Sequence, residues 1–393
     1  MTSTSHDPAA ARPRTTPMAS TGERGWRRVL RTAHLWTALV LCLPLALLGI
    51  TGGLLVFEHE LEHLIDHTPQ RIVAGGVEQS PSAIVAAARA AAPAGATPSL
   101  LIAADDPEAG AVVRLGTLQV FVDPISLEIM GTRTFGTGVV RQIFLLHANL
   151  MTRDRSGREI VGWFGAAMMA LGISGLVLWW PRGTSWRAAF GVRRGVRGYR
   201  LFRELHGAIG IWGVSLLLVV SASGTYLAFP QTIGAAAAGV LPVRDLRTAP
   251  SVVRPADATQ QPIGLDAVVA AAHGVIPDGS LRLVGFPTRP DQAFRIAFLR
   301  PGDIVGQPLA TVFVDPWSGR VIELRDPRTY SLGEAVLAWQ HAIHAGQGLG
   351  GLWRGLVLAS GLLPPFFVVT GITMWLIKRR IRRGALPARA NGE

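Results

Sequence analysis

The chain alternates long apolar runs with mixed segments, and that pattern predicts its architecture. Four runs lack any charged residue for 20 residues or so, at about 35–57, 160–180, 206–230 and 355–377. Each is long enough to cross a hydrocarbon core of about 30 Å as a helix. A helix is the expected form, because lipid offers the backbone no hydrogen-bonding partner. The spans are placed at 33–57, 160–180, 206–230 and 355–377. Between them lie two longer mixed segments, 68–159 and 231–354. In the first, Ser80–Ala92 has a helical pattern with Ser80 or Ser82 as cap. Short β-prone runs follow at Ser99–Ala103, Ala111–Leu115 and Thr117–Asp123. In the second, Leu265–His273 reads as helix, and Ser280–Phe286, Ala293–Leu299 and Ala310–Asp315 read as strands. Each mixed segment is therefore expected to be one helix on a small antiparallel sheet, an α+β unit.

The two halves repeat. His34 opens the first run and His206 the third. In both, a Ser/Thr-Gly pair lies 17 and 18 residues further on (Thr51-Gly52, Ser223-Gly224) and a phenylalanine 23 residues on (Phe57, Phe229). Phe-Val-Asp-Pro occurs at the same place in each mixed segment, at 121–124 and 313–316. Each segment then leads to an amphipathic stretch with histidines: His147 in the first half, His341 and His344 in the second. The spans that follow also match, Ser174-Gly175 with Trp179 answering Thr370-Gly371 with Trp375. His147 lies 27 residues before Ser174, His344 lies 26 before Thr370, and His341 lies 29 before it. His147 is accordingly paired with His344, and His341 is the reserve. The fold expected is an α-helical membrane protein with four transmembrane helices, duplicated 2+2, carrying two α+β domains.

Composition adds orientation. The 393 residues are 49% hydrophobic and 16% charged, with a formal net charge of +12. Segments 1–33, 181–205 and 378–393 hold 19 of the 38 Lys and Arg against 4 acids, a net +15, and the rest of the chain carries −3. The positive-inside rule then puts both termini and the basic 181–205 loop in the cytoplasm, with the two mixed segments outside. The excess of base is a topology signal. A nucleic-acid protein would set its basic patch beside recognition motifs, and none is visible. Residues 1–25 are rich in Ser, Thr, Pro, Ala and Arg and are expected to be a disordered cytoplasmic tail; 378–393 is a basic one. The first apolar run exceeds a signal h-region and no small-residue cleavage site follows, so it is expected to stay as an anchor. The one cysteine, Cys42, lies in the first span, which excludes disulfides within the chain.

The chemistry centres on histidine. A ligating side chain in a membrane helix is a functional candidate by default. His34 and His206 fall at the cytoplasmic end, His147 and His344 near the outer end. Halves related by an axis along the membrane normal would set each pair face to face. A b-type haem between two imidazoles fits such a pair, and two pairs would hold two haems, carrying electrons across in short steps. The competing reading is interfacial histidines bonded to headgroups or carbonyls. Four histidines matched by repeat and by depth favour the cofactor. Flanking glycines allow close approach, as ordinary small-residue helix packing also does. His59, His63 and His67 recur every four residues and share a helical face. A transition-metal site is one reading. Three aligned histidines on a straight helix spread too far to close one site easily, so a solvated polar face is favoured. No nucleotide fingerprint, P-loop or nucleophile elbow stands out. Electrons must then come from a membrane quinol or a separate reductase, and no catalytic residue is assigned. Asp123 and Asp315 are read as turn residues before proline.

The order of these features resembles the PepSY-associated transmembrane family. It is carried by Arg31-Thr-Ala-His34-Leu-Trp36, Glu204-Leu-His206-Gly207, Leu146-His147, His344-Ala-Gly346, four spans and two Phe-Val-Asp-Pro domains, over about 25–380. The resemblance implies two periplasmic PepSY-type domains and a place in the bacterial inner membrane. It implies that His34, His206, His147 and His344 ligate haem iron, with activity like that of di-haem reductases that release iron from ferric siderophores. Two other classes remain. One is a non-enzymatic PepSY membrane protein that regulates periplasmic peptidases. The other is a transporter or permease subunit, disfavoured because four spans without buried charge make a poor polar pathway.

Overall fold

The computed structural model describes residues 21–66, 69, 76–104, 110–181, 186–246, 248–255 and 261–384. Four helices are long and apolar enough to cross a membrane: α1 (Thr21–Leu55), α5 (Ser156–Trp179), α7 (Gly198–Ala228) and α12 (Gly350–Gly384). Shorter helices lie between and around them: α2 (Glu58–Leu64), α3 (Pro81–Ala90), α4 (Val139–Asn149), α6 (Trp186–Ala189), α8 (Pro230–Ala238), α9 (Leu265–Val275), α10 (Leu332–Ala338) and α11 (Gln340–Ala345).

The long helices form a closed ring in which α1 packs on α5, α5 on α7, α7 on α12 and α12 on α1. Thus α1 and α7, the two that carry His34 and His206, stand on a diagonal. Small residues set the tightest crossings. A Cβ on Gly49 would lie 2.6 Å from the Gly361 carbonyl oxygen, and one on Gly361 would lie 2.9 Å from the Gly53 Cα. At the α5–α7 crossing, a Cβ on Gly165 would meet the Thr225 hydroxyl. Helix α1 starts at Thr21 and α7 at Gly198, both well before their apolar runs. Arginine is a good helix former, so the basic approach continues each helix. Arg27 there donates through Nη2 to the carbonyls of Val177 and Leu178 at 2.8 and 3.0 Å, satisfying orphan groups at the end of α5.

Away from the bundle lies one antiparallel sheet, β1 (Pro98–Ile102), β2 (Ala111–Leu115), β3 (Leu118–Val122), β4 (Ile129–Thr134), β5 (Ser280–Gly285), β6 (Phe294–Leu299), β7 (Ala310–Val314) and β8 (Val321–Arg325). Its order is β4-β3-β2-β1-β5-β6-β7-β8. The two α+β units expected from the repeat therefore join edge to edge, with Leu101 opposite Val284 at the β1–β5 seam. Joining covers two sheet edges that would otherwise be open to pairing. One core serves both units, with Val85 and Ala88 of α3 and Val268 and Ala272 of α9 packed with Leu101, Val113, Val284 and Ile296. Alternation drives this: Ala111, Val113 and Leu115 are buried while Val112 and Arg114 are only partly so. Helix α3 begins as expected, with Ser80 Oγ accepting from the Ala83 amide at 3.3 Å.

Two strands exceed the sequence expectation, β4 and β8, which close the outer edges of the sheet. Asp123 and Asp315 are turn residues: their Oδ1 atoms accept from the amides of Ile125 and Trp317, each at 2.9 Å. Of the stretch 1–25, residues 1–20 lie outside the described residues, and 21–25 already belong to α1. His67 and the end of the basic tail, 385–393, also lie outside them.

Candidate functional site: two pairs of imidazoles

Each of the four repeat histidines meets the hydroxyl of a Ser/Thr-Gly pair. His34 Nδ1 is 2.8 Å from Ser174 Oγ, and His206 Nδ1 is 2.8 Å from Thr370 Oγ1. His147 Nδ1 is 3.0 Å from Thr51 Oγ1, and His344 Nδ1 is 3.3 Å from Ser223 Oγ. The pairing stays within each half: α1 with α5 and α4 with α1 in the first, α7 with α12 and α11 with α7 in the second.

The hydroxyls fix the tautomer. Each is placed to donate its only proton to a carbonyl of its own helix: Thr51 to Leu47 at 2.8 Å, Ser174 to Leu171 at 3.1 Å, Ser223 to Val219 at 3.0 Å and Thr370 to Phe366 at 3.0 Å. A hydroxyl so engaged can only accept from the imidazole, so Nδ1 carries the proton and donates. His344 Nδ1 also lies 3.0 Å from the Val220 carbonyl, which can only accept. The Leu48 carbonyl plays that part for His147. The carbonyls put the proton on Nδ1 of His147 and His344, and with the hydroxyls so engaged His34 and His206 take the same form, leaving Nε2 its lone pair. Among the described residues, Nε2 has no hydrogen-bond partner in any of the four.

Glycine makes room for the outer pair. A Cβ on Gly52 would lie 2.8 Å from His147 Cε1, and one on Gly224 would lie 2.8 Å from His344 Cε1. The two rings meet across the bundle with centroids 6.0 Å apart and planes at 42°. His341, the reserve, has its side chain exposed. At the other end, the His206 ring stands 4.8 Å from that of Phe367, and a Cβ on Gly175 would lie 3.5 Å from His34 Cε1. The partner hydroxyls and the Val220 carbonyl were not foreseen as partners. The constant Ser/Thr-Gly spacing was the signal that could have found them.

The supports of the outer pair are built locally. Asp66 caps α4, its carboxylate accepting from the amides of Val139 at 2.7 Å and Val140 at 3.2 Å. The chain leaves α4 through Leu150 and Met151, both left-handed at φ 50° and 61°. In the second half, Ser331 and Glu334 form a capping box on α10, and α11 ends at Gly346, φ 74°. On the sheet side of α4, the Arg141 guanidinium lies 5.0 Å from the Phe135 ring and 4.7 Å from that of Phe144, with Arg114 3.8 Å from Phe135 on its own account. Burial and the neighbouring Arg141 lower the Arg114 pKa. Burial, then Glu62, raises that of Glu58, opposed by Arg141.

These residues fit the group they were expected to hold. His147 and His344, their rings 6.0 Å apart across the bundle, are imidazoles that would hold haem iron at the outer end. The proton on Nδ1, held by an acceptor, is the arrangement that aims Nε2 at a metal. Four helices long and apolar enough to cross a bilayer mark a multi-pass membrane protein. Residues 31–378 match the PepSY-associated TM region, and the chain belongs to that family. No curated protein matches it.

Proposed function

We propose that this chain is a di-haem electron-transfer protein of the bacterial inner membrane that reduces ferric chelates, siderophores among them, on the periplasmic side. The observation that carries the reading is the common setting of the four imidazoles, each with Nδ1 at a Ser or Thr hydroxyl, with the outer pair at 6.0 Å. His34 with His206 and His147 with His344 would hold the two groups. Haem, when bound, supplies one-electron redox chemistry.

The protein's own part is positional. Ser174, Thr370, Thr51 and Ser223 hold the imidazole protons and so the ring orientations. Gly52 and Gly224 leave space beside the outer rings. The apolar helices α1, α5, α7 and α12 frame the span between the pairs. Two sites at opposite ends divide a crossing of about 30 Å. The basic termini and the 181–205 loop support a cytoplasmic placement for the His34–His206 end. The guanidinium cluster of Arg114 and Arg141, next to α4, suits an anionic chelate outside. The overall reaction balances with a quinol as donor. One quinol gives two electrons and two protons, and two Fe(III) chelates each take one electron to become more weakly held Fe(II).

The test is vectorial reduction. Proteoliposomes with reduced quinol in the membrane and a ferric hydroxamate outside should generate Fe(II), trapped by a ferrous-specific chelator. His34→Ala and His344→Ala should each abolish the gain over empty vesicles. A wild-type rate no greater than that of empty vesicles would overturn the proposal.

A further inference from the structure

Helix α2, which follows α1 at the sheet end of the bundle, carries two histidines that the paired sites do not use. His59, exposed, and His63, half-buried, lie one turn apart. Their Nε2 atoms are 3.3 Å apart, and their rings are perpendicular, at 89°, with centroids 4.6 Å apart. Two imidazole nitrogens about 2 Å from one tetrahedral ion stand roughly 3.3 Å apart. The same gap admits a shared proton, which an ion would displace.

We propose that His59 and His63 form a binding site for a borderline divalent transition-metal ion, of the Fe(II)-to-Zn(II) class. Imidazole nitrogens select that class over Mg(II) and Ca(II), which prefer oxygen. The inference does not rest on the redox reading.

Three further observations support it. First, the stretch reads His59-Glu60-Leu61-Glu62-His63, the H-E-x-x-H spacing that places two imidazoles on one helical face. Second, the fold does not require these imidazoles. At the offset that carries His34 onto His206, His59 and His63 fall on Gln231 and Ala235, and α8 forms there without them. Third, no residue of α2 is buried, so an ion reaches both imidazoles from solvent.

The surroundings also limit what the site can do. In hydrolytic H-E-x-x-H helices the first glutamate is a general base. Here Glu60 is bound by the Arg354 guanidinium, which holds its carboxyl below the usual range. Arg354 is itself anchored to the Val56 carbonyl at 3.0 Å. Glu62 faces Arg133 at 3.8 Å. Among the described residues no third His, Cys, Asp or Glu completes a cluster. With Glu60 held by Arg354, the site binds rather than hydrolyses.

The experiment is calorimetric titration of tag-free full-length protein in detergent with Zn(II), at neutral pH. One saturable ion per chain is expected, with affinity falling about tenfold or more in His59→Ala and in His63→Ala, and unchanged in His273→Ala. Mg(II) should give no such isotherm. No residue of α2 is buried, so the substitutions should leave the thermal midpoint unaltered, and that midpoint is the check on folding. Equal Zn(II) affinity in wild type and both variants, or no saturable binding, would overturn the proposal.

Discussion

His344 Nδ1 lies 3.0 Å from the Val220 carbonyl and 3.3 Å from the Ser223 hydroxyl, whereas His206 Nδ1 has the Thr370 hydroxyl at 2.8 Å as its acceptor. The outer imidazole is doubly held and the inner one singly held. Removing a hydroxyl should therefore matter more at the inner pair. Thr370→Val keeps the side-chain shape but leaves His206 Nδ1 without its acceptor. Loss of such a partner typically weakens metal affinity about 10–100-fold. Ser223→Ala leaves the carbonyl of Val220 in place and should cost less. Haem retention through repeated gel filtration, read by absorbance, should fall in Thr370→Val and hold in Ser223→Ala.

Glycines of the Ser/Thr-Gly pairs should not all tolerate alanine equally. At Gly224 the new methyl would sit 2.8 Å from His344 Cε1, while at Gly371 it would meet nothing within 4 Å. Overpacking of this kind costs about 1–3 kcal/mol and would turn the imidazole away from its partner. Gly224→Ala should lose the outer cofactor alone. Gly371→Ala should retain both, as counted by the pyridine haemochrome assay.

The contrast shows what the sequence carried. The four apolar runs, six of the strands and the pairing of His147 with His344 were legible because each rests on local periodicity or a constant spacing. Strand β4 was not, since Ile129–Thr134 contains Gly131 and alternates weakly, with Ile129, Arg133 and their neighbours partly or fully exposed at a sheet edge. The β1–β5 seam was not either, because pairing between distant strands leaves no mark in either strand's own pattern. In the site, Thr51, Ser174, Ser223 and Thr370 were visible as repeat markers beside glycine. Their role as imidazole acceptors depends on which helices become neighbours, α1 with α5 and α7 with α12 among them, and no helix's own pattern records its neighbour.

Acid should loosen the contact between α10 and the segment after α8. Glu334 binds Arg244 at 2.6 Å. That guanidinium, with the Ser331 amide, holds the Glu334 pKa at about 2, against an ordinary 4.5. A depressed carboxylate contributes stability that is complete above 4.5 and lost as pH falls from there toward about 2. The thermal midpoint of wild type should fall over that window, and Glu334→Gln should begin lower and fall less. Ser331→Ala, which removes the other half of the capping box, should cost about 1 kcal/mol.

The central claim is that two imidazole pairs hold two haems, and optical spectroscopy of the purified protein tests it most directly. Wild type, as isolated and after dithionite, should show the sharp reduced bands of a six-coordinate b-type haem, at two per chain by pyridine haemochrome. His34→Ala and His344→Ala should each retain one, and His341→Ala should retain both. A colourless protein from haem-replete cells, or unchanged haem content in His34→Ala and His344→Ala, would contradict the account.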